Sequence, residues 1–125
     1  MTGVRILVID DDPAVCGMLA EMLRREGYEV DEAADGRAGM KKFHERPAAL
    51  VITDVVMPEQ EGLETLMQLR AESSTVKVIA ISGGGRVGPD AYLNSAKTLG
   101  AHGILAKPFG REELLTAVKT VLEAD

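Results

Sequence analysis

Five short apolar segments, each followed by a stretch with helical features, constrain the fold of this chain more than anything else in it. The segments are Val4–Ile9, Tyr28–Ala33, Leu50–Thr53, Val76–Ile81 and Gly103–Ala106. Segments of four to six residues suit strands, and strands that alternate with helices favour a parallel sheet with helices on both faces. We therefore predict an α/β fold in which the strand–helix unit occurs five times.

Five helices are predicted after these strands, and several have recognisable ends. Asp12 before Pro13 and Asp35 before Gly36 are typical helix caps, and Gly27 is a typical stop. The predicted helices run from Pro13 to about Glu26, from Gly36 to about Glu45, over Glu61–Glu72, from Pro89 or Asp90 to Gly100, and over Glu112–Glu123. The inward faces are predicted to include Val15, Met18, Leu19, Met22 and Leu23 in the first helix and Leu63, Leu66 and Met67 in the third.

Composition narrows the class of protein. The chain has 125 residues, 46% of them apolar, which indicates one domain over residues 1–125. It has 20 acidic and 14 basic side chains, a net charge of −6, so we expect neither direct nucleic acid binding nor attraction to an anionic membrane. A single cysteine, Cys16, fits a reducing cytoplasm, and no apolar run reaches membrane-spanning length. We expect a cytoplasmic domain.

Polar side chains follow the predicted strands at the points where the strands end. Asp10 and Asp11 follow the first strand, Asp54 the third, Ser82 the fourth and Lys107 the fifth. In a flavodoxin-like, doubly wound sheet of five parallel strands, ordered 2-1-3-4-5, these ends meet at one crevice. Three crowded carboxylates repel one another unless a cation joins them, and Mg²⁺ is the hard, oxygen-binding ion that suits them.

A carboxylate, a hydroxyl, an ammonium group and Mg²⁺ together indicate phosphoryl transfer. The carboxylate attacks phosphorus, while the other groups neutralise charge on the phosphoryl oxygens. Each residue also has an ordinary structural interpretation: Asp54 as a turn residue, Ser82 as a helix cap or loop hydroxyl, and Lys107 as a solvated surface lysine. Asp10, Asp11 and Asp12 could likewise form a solvated acidic turn. The joint placement of these residues at neighbouring strand ends favours a phosphoryl site.

Four motifs, in this order, resemble the response-regulator receiver domain of two-component signalling, the CheY-like family. They are ILVIDDDP, VITDVVMPEQEG, VIAIS and LAKPF, and the resemblance covers essentially the whole chain. It implies a signalling switch that accepts a phosphoryl group from a sensor histidine kinase or a histidine phosphotransfer protein. The switch then changes its binding face towards an output partner. Such a protein is not an enzyme for other substrates and catalyses only its own phosphorylation and dephosphorylation.

The resemblance also assigns roles to individual residues. Asp54 would be the phosphoacceptor, and Asp11 and Asp54 would bind Mg²⁺ directly. Asp10 would act through a metal-bound water, and the backbone carbonyl of Val56 would be a further ligand. The Ser82 hydroxyl and the Lys107 ammonium would contact the phosphoryl group.

Two features depart from the family pattern. Ile104 stands three residues before Lys107, where many receivers have Tyr or Phe, so the usual movement of an aromatic switch residue is in doubt. The loop with Gly83, Gly84, Gly85 and Gly88 is a few residues longer than in a compact receiver. It is either a tolerated surface insertion or a functional mobile loop.

Two other functions are compatible with parts of the pattern. A Mg²⁺ phosphatase of the haloacid-dehalogenase type would use Asp10 and Asp12, but it needs an acidic pair after the lysine. Pro108, Phe109 and Gly110 stand there instead, and Asp54 would be unexplained. A pseudo-receiver that binds partners without phosphorylation is disfavoured because every chemical group is present.

The output is left open by the sequence. The chain is either a stand-alone receiver that binds a downstream protein or a receiver whose output domain has been removed, and its start at Met1 and acidic end modestly favour the first. His44 and His102 lack a second ligand at metal spacing and are predicted to be surface residues. Cys16 is predicted to be part-buried and not a nucleophile.

Overall fold

The structure is a computed structural model that describes residues 3–54, 61–73, 75–82, 101–106 and 109–123. For Ser82 and residues 61–63 it describes the backbone. Five parallel strands form one sheet in the order β2-β1-β3-β4-β5. The predicted strand order is therefore confirmed. No helix in the described residues is both long and apolar enough to cross a bilayer.

The strands and helices begin and end close to their predicted positions. The strands are β1 (Arg5–Ile9), β2 (Glu29–Ala33), β3 (Leu50–Asp54), β4 (Lys77–Ser82) and β5 (Gly103–Ala106). The helices are α1 (Pro13–Arg25), α2 (Gly36–Glu45), α3 (Glu61–Glu72) and a C-terminal helix (Arg111–Glu123). The predicted helix from Pro89 or Asp90 to Gly100 lies outside the described residues, as does the glycine-rich loop before it.

The sheet is buried on both faces, which explains why its strands are continuous apolar runs. Alternate side chains of a strand point to opposite faces. Leu7, Ile9, Val51, Val78 and Ala80 belong to one core, with Met40 and Phe43 of α2 and Leu66 and Leu69 of α3. Ile6, Val8, Leu50, Ile52, Ile79 and Ile81 belong to the other, with Leu19 and Leu23 of α1 and Leu114 and Val118 of the C-terminal helix.

Two methionines that were predicted to face the core are exposed. Met18 is 43% exposed and Met67 is 54% exposed, so these two predictions are wrong. The buried stripe of α1 is Cys16, Leu19, Ala20 and Leu23, with the spacing i, i+3, i+4, i+7, and Met18 lies off it. In α3 the buried neighbour of Leu66 is Thr65 rather than Met67. The rotation of each helix is set by its most continuous buried face, and in α3 this face includes the polar side chain of Thr65.

Helix α2 lies unusually close to β1 at Gly39. A Cβ atom at this position would lie 2.8 Å from Ile9 Cγ1 and closer still to Ile9 Cδ1. Ile9 is fully buried and is the last residue of β1. Gly39 is therefore the residue that lets α2 pack directly on the strand that ends beside Asp10.

Strand β2 forms one edge of the sheet, and cationic side chains cover its outward carbonyl groups. Arg24 Nη2 of α1 donates to the Val30 carbonyl at 2.8 Å, and Lys42 Nζ of α2 donates to the Glu32 carbonyl. Edge strands leave such acceptors available to other chains unless something covers them. Here the two flanking helices supply the cover.

Candidate functional site

Three carboxylates converge at the carboxyl ends of β1 and β3. Asp54 is the last residue of β3, and Asp10 and Asp11 directly follow β1. The two strands are neighbours, with Ile9 opposite Thr53. One carboxylate oxygen from each of Asp10, Asp11 and Asp54 lies within 4.8 Å of those of the other two. The structure thus brings together the three acids that the sequence predicted to meet.

Burial differs among the three acids. Asp10 is 1% exposed and Asp54 is 4% exposed, whereas Asp11 is exposed. The site therefore has two buried carboxylates, those of Asp10 and Asp54, and one carboxylate that faces solvent, that of Asp11. The sequence alone did not indicate which of the two consecutive acids would be inside.

Hydrogen bonds fix the turn after β1 and separate the roles of its three acids. The Asp10 backbone N–H donates to the Ala33 carbonyl at 3.1 Å. Asp10 Oδ1 accepts from the Asp12 backbone N–H at 2.9 Å. Asp12 Oδ1 in turn accepts from the backbone N–H groups of Ala14 at 2.9 Å and Val15 at 3.4 Å. Asp12 is the N-cap of α1, as predicted, and it is not a member of the carboxylate cluster.

The donor set of the cluster fits a hard divalent cation. Mg²⁺ binds oxygen ligands at about 2.0–2.1 Å, so two oxygens on one ion are separated by about 3–4 Å. The three carboxylate oxygens of the cluster lie within 4.8 Å of one another, which is close to this spacing. Asp11, on the exposed side, leaves room for the water ligands that Mg²⁺ usually keeps. Asp10, Asp11 and Asp54 are the described residues that could hold such an ion.

The other predicted site residues are described in part or not at all. Ser82 is the last residue of β4 and pairs with Ala106 of β5, while Ile81 pairs with Asp54. The backbone of Ser82 is therefore at the same edge of the sheet as the acids. Lys107, which follows Ala106 in the sequence, and Val56, which follows Asp54 by two residues, lie outside the described residues.

Cys16 of α1 packs against β1 and β2, and its surroundings keep the thiol protonated. It is 5% exposed, and its Sγ is 3.8 Å from the Val8 carbonyl oxygen. Burial and then the negative charge of Glu32 raise the pKa of the Cys16 thiol. A protonated thiol is a poor nucleophile. These surroundings agree with the interpretation of Cys16 as a structural residue, although it is more buried than predicted.

A family model identifies the chain. The model for the response regulator receiver domain matches residues 6–119. The chain belongs to the response regulator receiver family. This receiver is 34% identical over 125 residues to a probable chemotaxis protein CheY of Rhizobium etli, with 97% of this chain and 94% of that protein covered. It is 38% identical over 120 residues to the response regulator MprA of Mycolicibacterium vanbaalenii, covering 95% of this chain and 50% of that protein.

Solved structures agree with this assignment. The receiver has a TM-score of 0.88 and 29% identity to a CheY-like receiver domain protein from Methanospirillum hungatei, covering 98% and 95% of the two chains. It has a TM-score of 0.84 and 30% identity to the chemotaxis response regulator CheY4 of Vibrio cholerae, covering 96% and 99%. The receiver is thus a module of two-component signalling, and such modules are in general phosphorylation-dependent switches and not enzymes. Receivers generally act with histidine kinases and output partners and use Mg²⁺ at an acidic pocket.

Proposed function

We propose that this receiver is a Mg²⁺-dependent switch that accepts a phosphoryl group on Asp54 and acts as a single domain over residues 1–125. The observation that carries the proposal is the convergence of Asp10, Asp11 and Asp54 at adjacent strand ends. The family model over residues 6–119 and the single sheet that contains all five strands support one domain.

The phosphoryl donor in this proposal is a phosphohistidine of a sensor kinase or of a histidine phosphotransfer protein. A carboxylate oxygen of Asp54 forms a bond to phosphorus as the P–N bond of the phosphohistidine breaks. The electron pair of that bond stays with the imidazole, which takes up a proton as it leaves. Dephosphorylation transfers the same group to water, so the receiver catalyses reactions of its own side chain only.

The carboxylate cluster would hold the metal. Asp11 and Asp54 would be direct ligands, Asp10 would act through a bound water, and the Val56 carbonyl would complete the protein ligands. When bound, Mg²⁺ supplies positive charge that offsets the repulsion between the acids and the incoming phosphoryl oxygens. Asp10 is fixed by its hydrogen bond from the Asp12 N–H, so it contributes a carboxylate whose orientation is set in advance.

Ser82 and Lys107 would contact the phosphoryl oxygens from the neighbouring strands. Strand pairing supports this part of the proposal, since Ser82 stands opposite Ala106 and Lys107 is next in the sequence. The Ser82 hydroxyl would donate a hydrogen bond, and the Lys107 ammonium would act as a compact positive charge. Movement of these residues towards the phosphoryl group would change the face presented to an output protein or output domain.

We also propose that the receiver works in the cytoplasm. The single cysteine, which lies buried, supports a reducing compartment. The net charge of −6 supports protein partners in preference to nucleic acid. A haloacid-dehalogenase-type phosphatase is less compatible with the site, because Asp12, which that chemistry would need, caps α1.

The proposal is tested by incubating the protein with Mg²⁺ and acetyl phosphate or phosphoramidate and measuring intact mass. We expect one added phosphoryl group on the wild type and none on Asp54→Asn. Asp12→Asn is the matched control, because it makes the same chemical change nearby and Asn is also a good N-cap. Asp12→Asn should therefore be modified like the wild type. Full modification of Asp54→Asn, with the label mapped elsewhere, would contradict the assignment, and an unmodified wild type would favour a pseudo-receiver.

A further inference from the structure

His102 makes two contacts with one residue of β4, just before β5 begins. The His102 backbone N–H donates to the Val78 carbonyl at 2.7 Å. The Val78 backbone N–H donates to His102 Nδ1 at 3.1 Å. The imidazole thus serves as a hydrogen-bond acceptor at the end of the β4–β5 ladder, ahead of Gly103, the first residue of β5.

This contact requires the unprotonated imidazole. Nδ1 can accept from the Val78 N–H only with a free lone pair, so the ring proton must be on Nε2. In the imidazolium both ring nitrogens carry protons, and Nδ1 would then face the amide donor of Val78 with a donor of its own. Val78 is fully buried, so its amide would lose an acceptor where water cannot readily replace it.

The surroundings of the ring oppose protonation. The pKa of His102 is lowered from its ordinary value of about 6.5. The largest cause is partial burial of the ring, and the nearby positive charges of Arg70 and Lys77 lower the pKa further. Arg70 comes from α3, where its Nη1 is tied to the Val76 carbonyl at 2.7 Å, and Lys77 begins β4. Within the described ranges, the charges that act on His102 are these two cations.

Strand β5 is short and lies at an edge of the sheet, where it pairs with β4 and packs against the C-terminal helix. It has four residues and pairs with β4 on one side only, at the edge of the sheet. Its side chains are alternately half-buried and exposed, in contrast to the fully buried β3. An anchor at the residue just before β5 therefore helps the strand to keep its register on β4.

We propose that His102 is a positioning residue, whose neutral imidazole anchors the start of β5 to β4 and thereby fixes the strand that leads into Lys107. The link to Lys107 rests on the function proposed above, whereas the anchor itself does not. His102 does not contact the phosphoryl group in this proposal and acts through the strand.

The anchor makes the receiver sensitive to acid. Because the pKa of His102 is lower in the folded protein than in the unfolded chain, the unfolded chain binds more protons between the two values. The stability that the anchor contributes is complete above about pH 6.5 and is lost as the pH falls through the folded-state value. Phosphorylation of Asp54 should weaken over the same window as β5 loosens.

The first experiment measures hydrogen exchange of the Val78 amide in the wild type, His102→Asn and His102→Leu. Asn places a carbonyl oxygen near the position of Nδ1 and does not titrate, whereas Leu offers no acceptor. As the pH is lowered from about 7.5, we expect Val78 protection to fall in the wild type, by about tenfold once the imidazole is protonated, the factor that corresponds to one hydrogen bond. It should stay constant in His102→Asn and be low throughout in His102→Leu. The Ile52 amide of central β3 is the internal reference for global unfolding.

The second experiment measures the rate of Asp54 phosphorylation by acetyl phosphate over the same pH range. The ratio of the wild-type rate to the His102→Asn rate should fall as the pH falls, and acid titration of the shared site cancels in this ratio. Equal Val78 protection in the wild type and His102→Leu at every pH would overturn the anchor, and equal protection in the wild type and His102→Asn at every pH would overturn its acid sensitivity. A pH-dependent Val78 amide with a constant rate ratio would overturn only the link to Lys107. Absence of phosphorylation in all variants would overturn the proposed function while the exchange result still decides on the anchor.

Discussion

The close approach of α2 to β1 predicts that two glycine-to-alanine substitutions have opposite effects. Gly17 and Gly39 both lie inside helices, so alanine should improve helix propensity at each by about 0.5–1 kcal/mol. At Gly17, no atom of the described chain outside its own helix backbone and immediate neighbours lies within 4 Å of the new Cβ position. At Gly39, the new atom would overlap the Ile9 side chain.

The magnitude follows from the difference between the two sites. Ile9 of β1 is fully buried in the core that contains α2, so its side chain would have to shift among packed neighbours to admit the new atom. Overpacking of this kind costs about 1–3 kcal/mol. Because the propensity gain is common to both variants, Gly39→Ala should be less stable than Gly17→Ala by about 1–3 kcal/mol.

Thermal and chemical unfolding measure this difference. For a chain of this length, each kcal/mol changes Tm by about 3–4 °C. Gly17→Ala should unfold slightly above the wild type, and Gly39→Ala should unfold about 3–12 °C below Gly17→Ala. Urea titration should show the same order with unchanged m-values. Equal Tm values for the two variants would refute the argument that α2 rests on Ile9 through Gly39.

Two further predictions concern the site. In Mg²⁺ titrations, Asp11→Ala should lose most of the Mg²⁺ affinity, whereas Asp12→Ala should keep it. Because Asp12 caps α1, Asp12→Ala should instead lose about 1 kcal/mol of stability. Equal loss of Mg²⁺ affinity in both variants would contradict the separation of roles. The phosphorylated form should decay slowly, because Val56 and Gly84, two residues after Asp54 and Ser82, offer no polar side chain to orient the attacking water. Decay of phospho-Asp54 is to be followed in the wild type and in a double variant with Val56→Asn and Gly84→Glu, and equally fast decay in both would show that these positions do not set the lifetime.

The strand order and the meeting of the acids could be predicted from the sequence for a physical reason. Runs such as Leu50–Thr53 have no polar break, so they fit only a sheet covered on both faces, and the next residue then falls at its carboxyl edge. Helix ends were predictable because Asp12 and Asp35 satisfy free backbone N–H groups locally, and α2 and α3 have the predicted bounds.

Features that depend on contacts between distant segments could not be predicted in this way. Met18 and Met67 are apolar and near the expected spacing, but helix rotation depends on how the whole stripe packs against the sheet. His102 was expected to be a surface residue, and the residue is exposed, yet its Nδ1 accepts from the backbone N–H of a residue 24 positions away. The roles of Ser82, Lys107 and Val56 stay predictions, since the facts that would test them concern residues or side chains outside the described part of the chain.

The cationic cover on β2 has a consequence for how copies of this protein can meet. The carbonyls of Val30 and Glu32 are acceptors that a strand from a second chain would need in order to extend the sheet, and Arg24 and Lys42 already occupy them. Strand addition at this edge would have to displace two charged donors and leave both to be rehydrated. The β2 side is therefore closed to growth of a continuous intermolecular sheet, and a high local concentration of receivers need not lead to aggregation through it. Neutral substitution of Arg24 and Lys42 would remove this protection without touching the carboxylate cluster at the ends of β1 and β3.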